Sequence, residues 1–254
     1  MMAEAVFPAL LERFPSDVNI AHRTLMVTDY TESALAMKIA PWEEALPSFL
    51  HLAYLPKPGL IRLRLDGHHD DDALLEAEMT RQVEELKALL GPAVLADRDM
   101  TPAEILLDRA RRAGLTVATA ESCTGGNIAH ELTLIPGASD VVAGGVVSYS
   151  NEVKVNVLGV SADDIARHGA VSIPVVRQMA EGAARVTGAS LTMATSGIAG
   201  PGGGSPEKPV GTVCICARLA DKEIFETARF NGSRSRIISS ATTRALILAC
   251  RLLG

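Results

Sequence analysis

From Thr101 onward, short apolar runs that read as buried strands alternate with amphipathic helical stretches, and few folds accept that alternation. The segment opens on Thr101-Pro102-Ala103-Glu104, a capping box with proline at the first helical position, and the helix it starts ends at Gly114. A strand at 116–120, a helix from Thr124, a strand at 145–149, a helix from Asn151, a helix at 173–187 capped by Ser172 and a strand at 191–195 follow. A glycine-rich loop leads into strands at 212–219 and 223–230, and a helix at 233–253 closes the chain. Strand–helix alternation calls for a largely parallel sheet covered on both faces. The tight turn at Asp221 makes the last two strands a hairpin, so the sheet must be mixed. The expected architecture of residues 99–254 is therefore α/β, a three-layer α/β/α sandwich around a mixed, mostly parallel sheet.

Residues 1–98 read differently, as a small α+β domain. A short helix at 7–14 ends at Pro15, and strands are expected at 23–28, 50–55 and 60–65. The last of these alternates as I-R-L-R-L, which puts both arginines on one face. Residues 67–72 (G-H-H-D-D-D) read as a loop, and 73–90 as an amphipathic helix closed by Gly91 and Pro92. His68 and His69 beside three aspartates are better read as a solvated acidic tip than as a metal site, because neighbouring ligands on a loop tip are not pre-organised. The boundary falls near residues 96–101.

Composition excludes several classes. With 48% apolar and 21% charged residues, the 254-residue chain can bury a core and is not disordered. No apolar run approaches the roughly 20 residues of a membrane helix, and the N-terminus lacks the pattern of a secretory signal, so no membrane partner and a cytoplasmic location are expected. Four cysteines in a chain of this length are no disulfide framework, and Cys214 and Cys216 fall on one face of a strand, where they fill core. No cluster of soft ligands suggests zinc, so neither metal nor cofactor is implied. Residues 1–100 carry 9 Lys and Arg against 17 Asp and Glu, whereas residues 101–254 carry 15 against 13. An acidic front half without a G-x-x-G clamp argues against nucleic acid.

Three strand ends carry candidate chemistry, and ligands of open α/β sheets gather at such ends. At Glu121-Ser122-Cys123-Thr124-Gly125-Gly126, Ser122 is either a helix N-cap or a nucleophile. In the second reading, the backbone amides of Thr124, Gly125 and Gly126 suit an oxyanion or phosphate. Cys123 adjoins the serine and is the competing nucleophile. No histidine stands in a recognisable triad order, but Tyr149-Ser150-Asn151-Glu152-Val153-Lys154 also ends a strand and opens a helix. Lys154 is either an exposed helix-start lysine or, if burial holds it neutral, a base toward Ser122 with Tyr149 relaying the proton. The loop at 197–204 has five glycines in eight residues and matches neither a P-loop nor a dinucleotide fingerprint. It is either a connector or a close-approach ligand loop, with Lys208 and Arg234 as cations for a phosphate or as solvated surface residues.

These segments carry a resemblance. E-S-C-T-G-G, Y-S-N-E-V-K, H-G-A-V-S (168–172), S-G-I-A-G-P (196–201), K-P-V-G-T-V (208–213) and F-N-G-S-R (230–234) occur in the order of CinA C-terminal domains, the nicotinamide-nucleotide amidases of the PncC type. The L-P-x-x-L-x-L-A-Y-L-P at 46–56 and the L-I-R-L-R-L strand resemble the KH-like module preceding that domain in longer CinA proteins. The large molybdopterin-binding-like N-terminal domain of those proteins has no counterpart in the sequence. The resemblance implies deamidation of nicotinamide mononucleotide to nicotinate mononucleotide and ammonia, a step of pyridine-nucleotide salvage and NAD metabolism. It implies Ser122, Tyr149 and Lys154 as the catalytic residues. Substrate contacts are expected from Thr124, Gly125, Gly126, Ser196, Gly197, Gly200, Gly202, Lys208 and Arg234. Gly202 stands where the family usually has aspartate, and Ser196 where threonine is common. A catalytically weak nucleotide-binding or regulatory module is the alternative. The expected partner is a small-molecule nucleotide, and the expected assembly a homodimer.

Overall fold

The computed structural model describes residues 19–254, so the expected helix at 7–14 lies outside the described residues. Contacts divide the chain into two compact units, Met1–Asp99 and Met100–Gly254.

The described part of the first unit is an antiparallel sheet of β1 (Asn19–Val27), β2 (Leu50–Lys57), β3 (Leu60–His69) and β4 (Val94–Ala96), in the order β2-β3-β1-β4. Helices α1 (Glu32–Glu44) and α2 (Asp72–Leu90) cover it, burying Leu35, Ile39, Leu75 and Met79 against Leu25, Leu63 and Leu65. Gly67, His68 and His69 continue β3 opposite Ala21, Ile20 and Asn19, so the acidic loop is shorter than the sequence suggests. Strand pairing with β1 overrides the local loop composition there. Helix α1 has no signature in the sequence, because its apolar residues spread around the axis and Pro41 sits inside it.

The second unit holds a five-stranded sheet, β5 (Val117–Glu121), β6 (Val142–Val147), β7 (Leu191–Gly197), β8 (Thr212–Leu219) and β9 (Lys222–Arg229), in the order β6-β5-β7-β8-β9. β5 pairs parallel with both β6 and β7, while β7–β8 and β8–β9 are antiparallel. Four strands thus run one way and β8 the other, which is the mixed sheet expected from the Asp221 hairpin. The central strands β5 and β7 are buried almost throughout, as strands covered on both faces must be. One cover is α7 (Ile173–Thr187), whose Val176, Met179 and Ala183 pack with Ala120, Ala194, Cys214 and Cys216. Helices α3 (Pro102–Arg112), α4 (Asn127–Thr133) and α8 (Arg234–Leu252) form the other layer. Short α5 (Asn151–Asn156) and α6 (Ala162–His168) link β6 to α7; α6 has no buried residue, which is why periodicity does not reveal it.

The capping box is formed as read. Glu104 N donates to Thr101 Oγ1 at 3.2 Å, and Thr101 N donates to Glu104 Oε2 at 2.6 Å. Two boundaries differ in ways that matter for the site. The helix expected from Thr124 begins at Asn127, leaving 122–126 as a turn, and the strand expected to reach Tyr149 ends at Val147.

Candidate active site

The C-terminal ends of β5, β6 and β7 lie side by side, and each releases one segment into a cleft of about 230 Å³. Ser122, Tyr149, Lys154, Ser196, Gly197 and Arg234 line that cleft, together with Cys123, Asn151 and the segment 170–171.

Lys154 occupies the centre. It lies on the short helix α5, N-capped by Ser150, yet its side chain turns inward and is 1% exposed. Its Nζ lies 3.0 Å from Ser122 Oγ, 2.7 Å from the carbonyl of Ser148 and 3.3 Å from that of Tyr149. Among the described residues it is bonded to no carboxylate. Burial holds its amine below the ordinary lysine range, with Cys123 and the nearby Glu152 charge acting in the other direction. An ammonium satisfies all three acceptors by donation. A neutral amine donates to the two carbonyls and turns its lone pair toward the serine hydroxyl.

Ser122 sits in the turn where the left-handed backbone of Gly125 (φ 63°) and Gly126 (φ 98°) lets the chain reverse before α4. Its amide donates to Thr195 O at 3.0 Å, and Thr124 Oγ1 meets Thr195 Oγ1 at 2.7 Å, so the turn is tied to β7. The expected trio of open amides is only partly available. Gly125 N donates to Ser122 O, and Gly126 N to the Glu121 carboxylate at 3.0 Å. Thr124 N is left open, and Cys123 N joins it; neither donates to another described residue. Cys123 lines the cleft but is buried, and burial, reinforced by the Glu121 charge, pushes its thiol up to about 12. It is a poor source of thiolate at neutral pH.

Tyr149 is placed otherwise than expected of a proton relay. Its side chain is 63% exposed, and its hydroxyl accepts from Arg234 Nη2 at 3.0 Å; no hydrogen bond joins it to Ser122 or Lys154. The link between Tyr149 and Lys154 is the backbone carbonyl. Arg234, the first residue of α8, also donates from Nη1 to Gly200 O at 2.8 Å, bridging the mouth of the cleft.

The glycine-rich loop divides into two parts. Ser196 is buried and donates to Ala170 O at 2.8 Å, and Gly197 allows close approach: a Cβ there would stand 2.7 Å from Val213 Cγ2 and 3.0 Å from Cys123 Sγ. Beyond Gly200, residues 201–207 are exposed. A Cβ at Gly202 would meet nothing within 4 Å, so the usual family aspartate could be carried without altering the loop. Thr124, Gly125, Gly126, Gly200, Gly202 and Lys208 are not on the cleft wall. Lys208 is engaged by backbone carbonyls instead of the cleft. Its Nζ donates to the carbonyls of His168 and Val171, both at 2.7 Å, and fixes the segment that carries Ala170 and Val171.

Sequence reasoning missed Glu121, Thr195, Ser148 and the 170–171 segment. Thr195 and Ser148 contact their partners from neighbouring strands, and no local pattern marks them. Among the described residues, no three His, Cys, Asp or Glu side chains form a group able to hold a metal.

The CinA C-terminal domain family matches residues 99–253, and the family described as the damage-inducible protein CinA KH domain matches residues 22–96. The chain belongs to the CinA family. A CinA-like protein of Chlorobaculum tepidum is 42% identical over 239 residues, covering 90% of the chain and 56% of the relative. A protein of Shewanella oneidensis named nicotinamide-nucleotide amidohydrolase PncC is 41% identical over 215 residues, covering 85% of the chain and 50% of the relative. The chain thus spans about half the length of the curated relatives it matches. Among solved structures, a CinA superfamily protein from Enterobacter cloacae is similar at 33% identity and a TM-score of 0.59, over 63% of this chain and 96% of that one. No helix of the described residues is long and apolar enough to cross a membrane.

Proposed function

We propose that this CinA-family chain is an amidohydrolase that converts nicotinamide mononucleotide to nicotinate mononucleotide and ammonia, with Ser122 as nucleophile and Lys154 as base. The observation that carries the reading is the buried lysine 3.0 Å from the serine hydroxyl, held by two carbonyls and, among the described residues, by no carboxylate. Burial disfavours its ammonium form, and an uncharged amine beside a hydroxyl is the pairing that activates a serine without histidine. The PncC name of the Shewanella relative supplies the substrate class.

In this reading Ser122 Oγ bonds to the carboxamide carbon while its proton passes to Lys154 Nζ. The oxyanion lies against the open amide of Cys123, a residue of the cleft wall and a donor of the kind that stabilises such charge. Lys154 returns the proton to the departing nitrogen, the C–N bond breaks and ammonia leaves. Water then attacks the acyl-serine ester, giving its proton to Lys154, and the carboxylate product leaves with Ser122 restored. Arg234 and Tyr149 at the mouth are the contacts for the nucleotide beyond its amide.

The test is ammonia release across carboxamide nucleotides. Wild-type protein should turn over nicotinamide mononucleotide, Ser122→Ala should lose at least about a hundredfold, and Cys123→Ala should keep most of the rate. Wild-type protein that binds the nucleotide without releasing ammonia would sink this reading in favour of a binding module.

A further inference from the structure

Glu121 is 0% exposed, and its carboxylate makes no salt bridge among the described residues. Glu121 is the last residue of β5, immediately before the nucleophile. Its Oε2 accepts from Gly126 N and Ile128 N, both at 3.0 Å, and its Oε1 accepts from Ala129 N at 2.9 Å. Its own carbonyl accepts from Ser148 N at 2.8 Å, which ties β5 to the residue whose carbonyl holds Lys154. One side chain therefore grips the exit of the 122–126 turn while the backbone of the same residue anchors the Lys154 side. A buried carboxylate is costly unless fully hydrogen-bonded, and here the donors are the amides that an α-helix start leaves unpaired.

We propose that Glu121 is the positioning residue of this site, setting the 122–126 turn so that the Ser122 hydroxyl faces Lys154. The proposal rests on the Ser122–Lys154 reading above. Glutamine tests it well. It fills the same space, but its NH₂ group must point at a backbone N–H, so one of the two gripping sides is lost. Aspartate keeps the charge but is one methylene shorter.

The experiment compares wild type, Glu121→Gln and Glu121→Asp by three measurements: kcat and KM for nicotinamide mononucleotide, the rate of Ser122 labelling by phenylmethanesulfonyl fluoride, and hydrogen exchange at Gly126, Ile128 and Ala129. Misplacing a reacting group by about 1 Å costs up to about a hundredfold, so kcat and labelling should fall by about tenfold to a hundredfold in Glu121→Gln, with KM near its wild-type value. Exchange at the three amides should quicken while β7 and α7 keep their protection, and Glu121→Asp should recover part of the rate. A general loss of structure would instead expose β7 and α7 as well. If Glu121→Gln does not fold, Glu121→Asp must show the same kcat-selective loss with faster exchange. Labelling and kcat within about twofold of wild type, with those amides exposed, would overturn the proposal. Wild-type protein that releases no ammonia removes the amidase reading alone, because the labelling arm still reports on how Ser122 is held.

Discussion

Two neighbouring strands of the same sheet end at this cleft in opposite styles. The turn after β5 buries Cys123 and Thr124 and is held from several sides: Ser122 N and Thr124 Oγ1 on Thr195, and Gly126, Ile128 and Ala129 on Glu121. The loop after β7 is tied at its base, where Ile198 N donates to Thr212 O and Gly211 N to Ile198 O, and it is exposed from 201 to 207. The difference separates two demands on a catalytic site. Groups that exchange a proton must be held to within fractions of an ångström, whereas a loop that meets a varied or solvated part of a ligand can stay open. Changes near the first should act on the chemical step, and changes near the second on recognition.

The largest expected effect comes from the fixed side. Lys154→Met should lower kcat/KM for ammonia release by about 10²–10⁴-fold, the range lost with a general base. Lys154→Arg should not restore it, since a guanidinium stays protonated and has no lone pair to offer. A Lys154→Met protein retaining activity within about tenfold of wild type would place the base elsewhere.

The fixed side was also the more legible in the sequence. Ser122 and Lys154 each follow a strand pattern at a helix start, and that local grammar is enough to bring them to one sheet edge. Their neighbours were not legible. Thr195 looks like ordinary core of β7, and Glu121 reads as a strand-end carboxylate whose burial depends on the helix starting at Asn127 rather than Thr124. On the open side, composition suggests two cations and position separates them. The sequence favours Arg234, at a helix start, over Lys208 as the phosphate cation, and in the structure Arg234 bridges the cleft mouth while Lys208 points at backbone carbonyls. Tyr149 likewise had the right neighbourhood, but its hydroxyl partner lies some eighty-five positions along the chain.

That contrast between two cations gives the middle predictions. Arg234 reaches the cleft, and a charge-assisted hydrogen bond to phosphate is worth about 1.5–3 kcal/mol. Arg234→Ala should therefore cost about tenfold to a hundredfold in kcat/KM for the nucleotide while barely changing the dephosphorylated riboside. Equal losses on both would assign Arg234 to the fold or the amide end. Lys208→Ala should behave differently, slowing nucleotide and riboside alike by only a few-fold, because the Lys208 ammonium is spent on holding the 168–171 segment. A loss confined to the nucleotide would return Lys208 to the role the sequence suggested.

The smallest effect tests whether Lys154 works as a neutral amine. A base that must be unprotonated gives a rate that rises with pH through its own pKa, which burial has already lowered here. The Glu152 charge opposes that lowering, so Glu152→Gln should let the amine lose its proton more readily. The rising limb of the kcat/KM profile should then move to lower pH, leaving the variant faster than wild type below the limb and equal to it on the plateau. Glu152 is exposed, so the displacement should shrink as salt rises and its charge is screened. Profiles of ammonia release at low and high ionic strength would show both features. A limb that moves to higher pH, or stays in place at low salt, would mean that the titrating group is not Lys154.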